Sequence, residues 1–207
     1  MNTKTQSRRI RRFLPLAMIV AMGAILIAPS SSMAFRFGSE LTGETQPSNA
    51  GDGHECQPNP GVCTWAMNEA YGRPDGGERS PYKGRLKKLR LIAQVPGTFR
   101  LQIVKVKPNG YGKVIRNGRV VNYQGQPLNA DPEDPYVIES FRLNLPIKKG
   151  QRLAIRTSST SLVRCSSGGP NSLLWQPPLA LGTGFSQYDA TDGCWMLLEA
   201  IGKRKRR

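Results

Sequence analysis

The sequence predicts an all-β protein: a single antiparallel β-sandwich, jelly-roll-like, of about seven to nine strands and stapled by disulfides. Three observations carry this. Apolar and polar residues alternate with a period of two along most of the chain beyond residue 80. Gly, Pro and Asn clusters punctuate those runs as turns, and no helix-period stretch appears among them. Four cysteines, an even number, follow an N-terminal segment with the character of an export signal.

That N-terminal segment comes first. Residues 1–34 contain Lys4, Arg8, Arg9, Arg11 and Arg12 and no acid. An apolar run from Phe13 to Ala28 follows, broken by Pro15 and Gly23, and then Pro29, Ser30, Ser31, Ser32, Met33 and Ala34. A basic region, an apolar region and small residues at Ser32 and Ala34 form a secretory signal peptide with cleavage expected after Ala34. The run falls short of the ~20 residues of a membrane span. No cysteine stands at the expected cleavage site, which excludes a lipoprotein anchor. The expected product is secreted and extracellular, without stable membrane insertion.

Residues 35–55 have no apolar periodicity and read as a flexible leader. The sandwich is expected over 56–202, with a basic tail at 203–207. Cys56, Cys63, Cys165 and Cys194 permit three pairings. We expect Cys56–Cys63 as a local loop and Cys165–Cys194 as a staple across about 30 residues, worth roughly 3–4 kcal/mol on the chain-entropy model. The spacings do not give the close Cys pairs of a zinc site, and no metal is expected.

The strand signals then run in order. Leu89, Leu91, Ala93 and Val95 alternate with Arg90, Ile92 and Gln94 before the turn Pro96-Gly97. Phe99, Leu101 and Ile103 alternate with Arg100, Gln102 and Val104 before Pro108-Asn109-Gly110. Asn117-Gly118, flanked by Val114 to Arg116 and Arg119 to Val121, predicts a tight hairpin. Val137, Glu139, Phe141, Leu143 and Leu145 share one parity, and Lys148-Lys149-Gly150 turns the chain towards Leu153 and Ile155. A Pro- and Gly-rich loop is expected over 166–184, and a final near-continuous strand from Cys194 to Ile201.

Cys63-Thr64-Trp65, Tyr82-Lys83-Gly84-Arg85-Leu86, the turn from Leu143 through Pro146 and Gly150 to Ile155, Gln176-Pro177-Pro178-Leu179 and Asp192-Gly193-Cys194-Trp195 form an ordered set. Together, over roughly residues 60–201, they resemble a group of uncharacterised secreted β-sandwich proteins of high-GC Gram-positive bacteria. The resemblance implies the fold and the location. It implies no activity.

Catalytic chemistry finds little to build on. His54 is the only histidine and lies beside the first cysteine, with no G-x-S-x-G elbow in the chain. Asp131, Glu133 and Asp134 sit in a Pro-punctuated turn, which reads as a hydrated loop or a calcium loop without EF-hand spacing. Phosphate and dinucleotide fingerprints are absent, and no cofactor is expected.

Charge is more informative. The 207 residues carry 30 Lys and Arg against 14 Asp and Glu, a net charge of +16. Residues 79–130 contain twelve of the cations and 140–188 six, with no acid in either stretch. Alternation turns Arg90, Arg100 and Arg142 away from the apolar parity, so pairing of their strands would create one basic face. Lys87, Lys88, Arg152 and Arg156 are expected to join it. Such a face attracts an anionic cell-wall or surface polymer, or serves only to keep a solvated sandwich soluble. Nucleic acid is not expected as a partner outside the cell. Trp175 and Tyr188 are candidate platforms for a glycan, while Trp65 and Trp195 are expected to pack around the disulfides. The expectation is thus a non-catalytic binding module, with a structural or protein-interaction domain as the alternative and a hydrolase behind both.

Overall fold

The computed structural model describes residues 33–48, 54–56, 61–73, 76–127, 135–165 and 169–204, and every regular element among them is a strand. In chain order these are β1 (Ala34–Gly38), β2 (His54–Glu55), β3 (Cys63–Met67), β4 (Gly84–Leu91), β5 (Gly97–Val106), β6 (Gly112–Tyr123) and β7 (Glu139–Ile147). Then follow β8 (Arg152–Thr157), β9 (Ser159–Thr160), β10 (Val163–Cys165), β11 (Ser172–Trp175), β12 (Ala190–Asp192), β13 (Cys194–Met196) and β14 (Leu198–Arg204).

Two antiparallel sheets dominate. Sheet one has the order β1-β14-β4-β7, and sheet two the order β12-β11-β3-β8-β5-β6. Taking β1, β3 to β8 and β14 as strands one to eight, sheet one reads one-eight-three-six and the body of sheet two reads two-seven-four-five. That is the double Greek key of a jelly roll. The pairs β2-β9 and β10-β13, and the extension of sheet two by β11 and β12, are additions to it.

Period-two alternation supplies the core. Leu86, Leu89 and Leu91 of β4, Leu143 and Leu145 of β7 and Leu198 and Ala200 of β14 come from sheet one. They join Leu101 and Ile103 of β5, Leu153 and Ile155 of β8 and Trp65 and Met67 of β3, from sheet two, in one buried cluster. The disulfides are Cys56–Cys63 and Cys165–Cys194. The second joins directly opposed residues of β10 and β13.

The reverse faces explain where strict alternation fails. Ala66 and Ala154, paired across β3 and β8, lie under a second buried cluster with Val104, Val114, Leu173, Trp175 and Leu179. The small alanine side chains leave room for the segment after β11 to fold back over sheet two. There Trp175 donates its ring N–H to the Ser186 carbonyl, and the Leu179 N–H donates to Thr64 Oγ1. A third cluster covers Ile92 and Leu197 with Leu41.

Five sequence expectations need correction. Residues 35–48 are not a flexible leader: β1 pairs with β14, and Phe35 and Phe37 enter the core. Two inward aromatic residues two apart (Phe35, Phe37) are a strand signal hidden by polar neighbours. Residues 49–53 lie outside the described residues. Asn117-Gly118 is not a hairpin turn, since β6 runs through it with a shift of register against β5. Neither residue has the positive φ of a type I′ turn, and a Cβ on Gly118 would sit 3.2 Å from both Leu101 and Leu145. The 166–184 loop contains β11, and the last strand breaks at Leu197 into β13 and β14. The proposed basic tail begins inside β14, whose residues Lys203 and Arg204 are paired; residues 205–207 lie outside the described ones.

Candidate basic cleft

Register across sheet one brings its cations together. On the outer face, Arg36 of β1, Ile201 of β14, Lys88 of β4 and Arg142 of β7 stand in one row across the four strands. The next row towards the end of the sheet holds Lys203 and Arg85. Arg85 donates to Asn144 Oδ1 at 3.0 Å, which aims it along β7.

The outward row on the other side of Arg36 pairs Glu199 of β14 with Arg90 of β4, and Glu199 is 1% exposed. Arg73 and Arg90 hold its two oxygens at 2.6 and 2.5 Å, and Arg36 approaches to 3.9 Å. Arg90 is therefore consumed by an internal ion pair, whereas Lys88, Arg142 and Lys203 keep their charges for solvent. Lys87 is exposed at the β4 bulge.

Where this face meets the edge of the sandwich, a cleft of about 470 Å³ opens. Its floor is apolar: Gly84 at the start of β4, Ile115 of β6, and Pro146 and Ile147 at the end of β7. Its walls carry Lys83, Arg85, Arg116, Lys148, Lys203 and Arg204. Among the described residues, no carboxylate lines it. Arg204 lies over the ring of Tyr82 at 4.9 Å. The Lys148 N–H donates to Gln151 Oε1 at 2.7 Å, which fixes the turn into β8. Six cations around an apolar floor can hold anionic groups by charge while burying part of the scaffold that bears them.

The sequence-based candidates divide differently from expectation. Arg100 and Arg156 are exposed and directly opposed, but on β5 and β8 of sheet two, so they do not share a face with Arg142. Parity tells inward from outward and is silent about which sheet a strand joins. Gln102 has the outward parity of Arg100 yet is buried, bonded to Asn117 and to the Leu179 carbonyl under the folded-back segment. Arg152 is 4% exposed and lies against Glu78 and Asn68, so it is no part of a solvent-facing surface. Burial pushes its pKa down to about 10, with Glu78 opposing the shift.

Of the two aromatic candidates, Trp175 is withdrawn from solvent and Tyr188 is half-buried. Trp175 is 1% exposed and packs its ring against Gly112, where a Cβ would approach it to 2.4 Å. Tyr188 closes on Gly110 and the same buried cluster. Trp65 is in the core with Cys56 and Cys63, as expected, whereas Trp195 is half-buried and stands edge-on to Tyr71 at 5.6 Å.

Several of the described acids hold backbone or arginine. Glu139 accepts from the Gln124 and Gly125 amides, and Asp189 from the Gln176 amide. Cys165, Asp192 and Cys194 cluster, but both sulfurs are committed to the disulfide. Asp131, Glu133, Asp134 and the side chain of His54 lie outside the described residues.

Sequence reasoning missed the cleft itself. Lys83, Arg85, Arg116, Lys148, Lys203 and Arg204 come from separate segments, and only the jelly-roll topology gathers them. The chain matches no protein-family model, no curated protein and no solved structure. Two disulfides fit an oxidising environment, and no helix among the described residues is long and apolar enough to cross a membrane.

Proposed function

We propose that the protein is a secreted, non-catalytic jelly-roll module that binds an anionic polymer of the cell surface through the cleft and the adjoining outer face of sheet one. One observation carries this reading: six cations surround an apolar-floored cleft free of acids, and Lys88, Arg142 and Arg36 continue the charge across the sheet. A merely soluble surface intersperses both signs of charge. Here the acid of the adjoining row, Glu199, is sequestered by arginines. The signal-like residues 1–34 and the two disulfides support secretion, and the resemblance to secreted Gram-positive sandwich proteins agrees with a wall polymer as partner.

The test is retention of the protein on purified cell walls and on an immobilised polyanion across a salt series. Binding is expected to weaken steeply as salt rises, because each cation engaged releases counterions. Arg116→Glu with Lys148→Glu should abolish retention. Arg100→Glu with Arg156→Glu, on the other sheet, should leave it near the wild-type level. Equal losses from the two pairs would reduce the effect to net charge and return the protein to the solubility-only alternative.

A further inference from the structure

The buried Arg152 belongs to a second cavity that shares no lining residue with the basic cleft. This cavity, of about 400 Å³, lies where β3 and β5 end and β8 begins. Arg152, Arg79 and Lys107 line it, with Asn109 and Thr191 among their neighbours, and no acid is among its described lining residues.

The charge balance at its wall is incomplete. The backbones of Arg79 and Arg152 are opposed across an antiparallel bridge, which sends both guanidinium groups to one carboxylate, Glu78. Arg79 takes the Glu78 Oε1 oxygen at 2.7 Å. Arg152 Nη2 is left 3.6 Å from the same atom, beyond hydrogen-bond reach. The other terminal nitrogen, Nη1, donates to Asn68 Oδ1 at 2.6 Å and makes longer contacts to the Met67 and Asn68 carbonyls. Two guanidinium groups therefore share one negative charge, and one of the two is nearly inaccessible to water. A third cation, Lys107, has its ammonium held 4.2 Å over the Phe185 ring. A buried charge without full pairing is costly, and a guanidinium with an open edge is shaped for a carboxylate or phosphate.

We propose that this cavity is a binding site for a small oxyanion ligand, a carboxylate- or phosphate-bearing molecule, whose charged group completes the pairing of Arg152 between Arg79 and Lys107. The site goes beyond the polymer-binding reading and stands independently of it. Where the cleft gathers six cations and suits a chain of charges, this cavity centres on one nearly buried guanidinium and suits one charged group.

Calorimetric titration of the folded protein with inorganic phosphate, acetate and glucuronate tests the proposal. Saturable binding of at least one is expected. Phosphate alone would assign a phosphorylated ligand, and the two carboxylates a carboxylate ligand. Arg79→Gln should weaken binding by about tenfold, or about 1.4 kcal/mol. Thr191→Trp, at an exposed edge-strand position, should fill the mouth and abolish it. Arg116→Glu with Lys148→Glu, which should release the protein from cell walls, should leave the titration unchanged. No saturable binding of any of the three anions would overturn the proposal. So would binding that survives Thr191→Trp or disappears with the cleft variant.

Discussion

Glu199 is the residue on which the charge of sheet one turns. Replacing it by Gln keeps the volume and removes the charge that Arg73 and Arg90 share. The expected loss is about 2 kcal/mol in urea unfolding, below the 3–5 kcal/mol of a fully buried pair because both arginines are partly solvated. Arg36→Gln removes a contact at 3.9 Å from a side chain that is 59% exposed, and should cost less than about 0.5 kcal/mol. Arg152 behaves differently with pH. Its folded pKa, about 10, lies below the ordinary arginine value because burial disfavours the charge. The folded chain then binds fewer protons than the unfolded one between those values, so stability rises with pH only there. The stability difference between wild type and Arg152→Met should be flat from about pH 6 to 9 and move in favour of wild type above about pH 10. None of this was legible in the sequence, where Arg90, Arg142 and Arg152 all occupy outward positions. Their partners, Glu199, Lys88 and Glu78, come from other parts of the chain.

At the level of strands, the sequence was most readable where one face is wet. Alternation located β4, β5, β7 and β8 and their turns, because a half-buried strand writes its parity into its residues. It was least readable where both faces are covered. Ile92, Val104 and Leu197 break the alternation, and each lies beneath an added layer; read as a group, these exceptions mark where something folds back. Gly112 is a tight point of that layer over sheet two. Gly112→Ala must displace the Trp175 ring and should cost about 1–3 kcal/mol in thermal or urea unfolding. Asn117-Gly118 misled because its turn preference is strong, whereas its work in β6 is to admit Leu101 and Leu145. The disulfides were legible by count and spacing. Replacing Cys165 and Cys194 together by Ser should cost about 3–4 kcal/mol, and Cys56 and Cys63 about 2–3, since the shorter loop constrains the unfolded chain less. Melting temperatures of the two double variants check that order.

For the molecule as a whole, the cation count in the sequence was right but its geography was not. Arg100 and Arg142 fall on opposite sheets, and the strongest concentration of charge arises where the ends of β4, β7 and β14 meet β6. Assigning strands to sheets needs the Greek-key connections, which no local pattern encodes. The N-terminal boundary follows the same logic. If residues 35–55 were a leader, Phe37→Ala would be harmless; as a core residue of β1 it should cost about 3–5 kcal/mol in chemical denaturation.

The pairing of β1 with β14 also sets an order of events. A ribosome makes β1 early and β14 near the end, and β1 has no other partner in its sheet. The first strand must therefore wait, unpaired, until the last is available, as non-local pairing requires. Lys203 and Arg204 arrive with that last strand, so the cleft is among the final features to exist. A chain stopped before β14 would lack the closing strand of sheet one and a wall of the basic cleft at the same stroke.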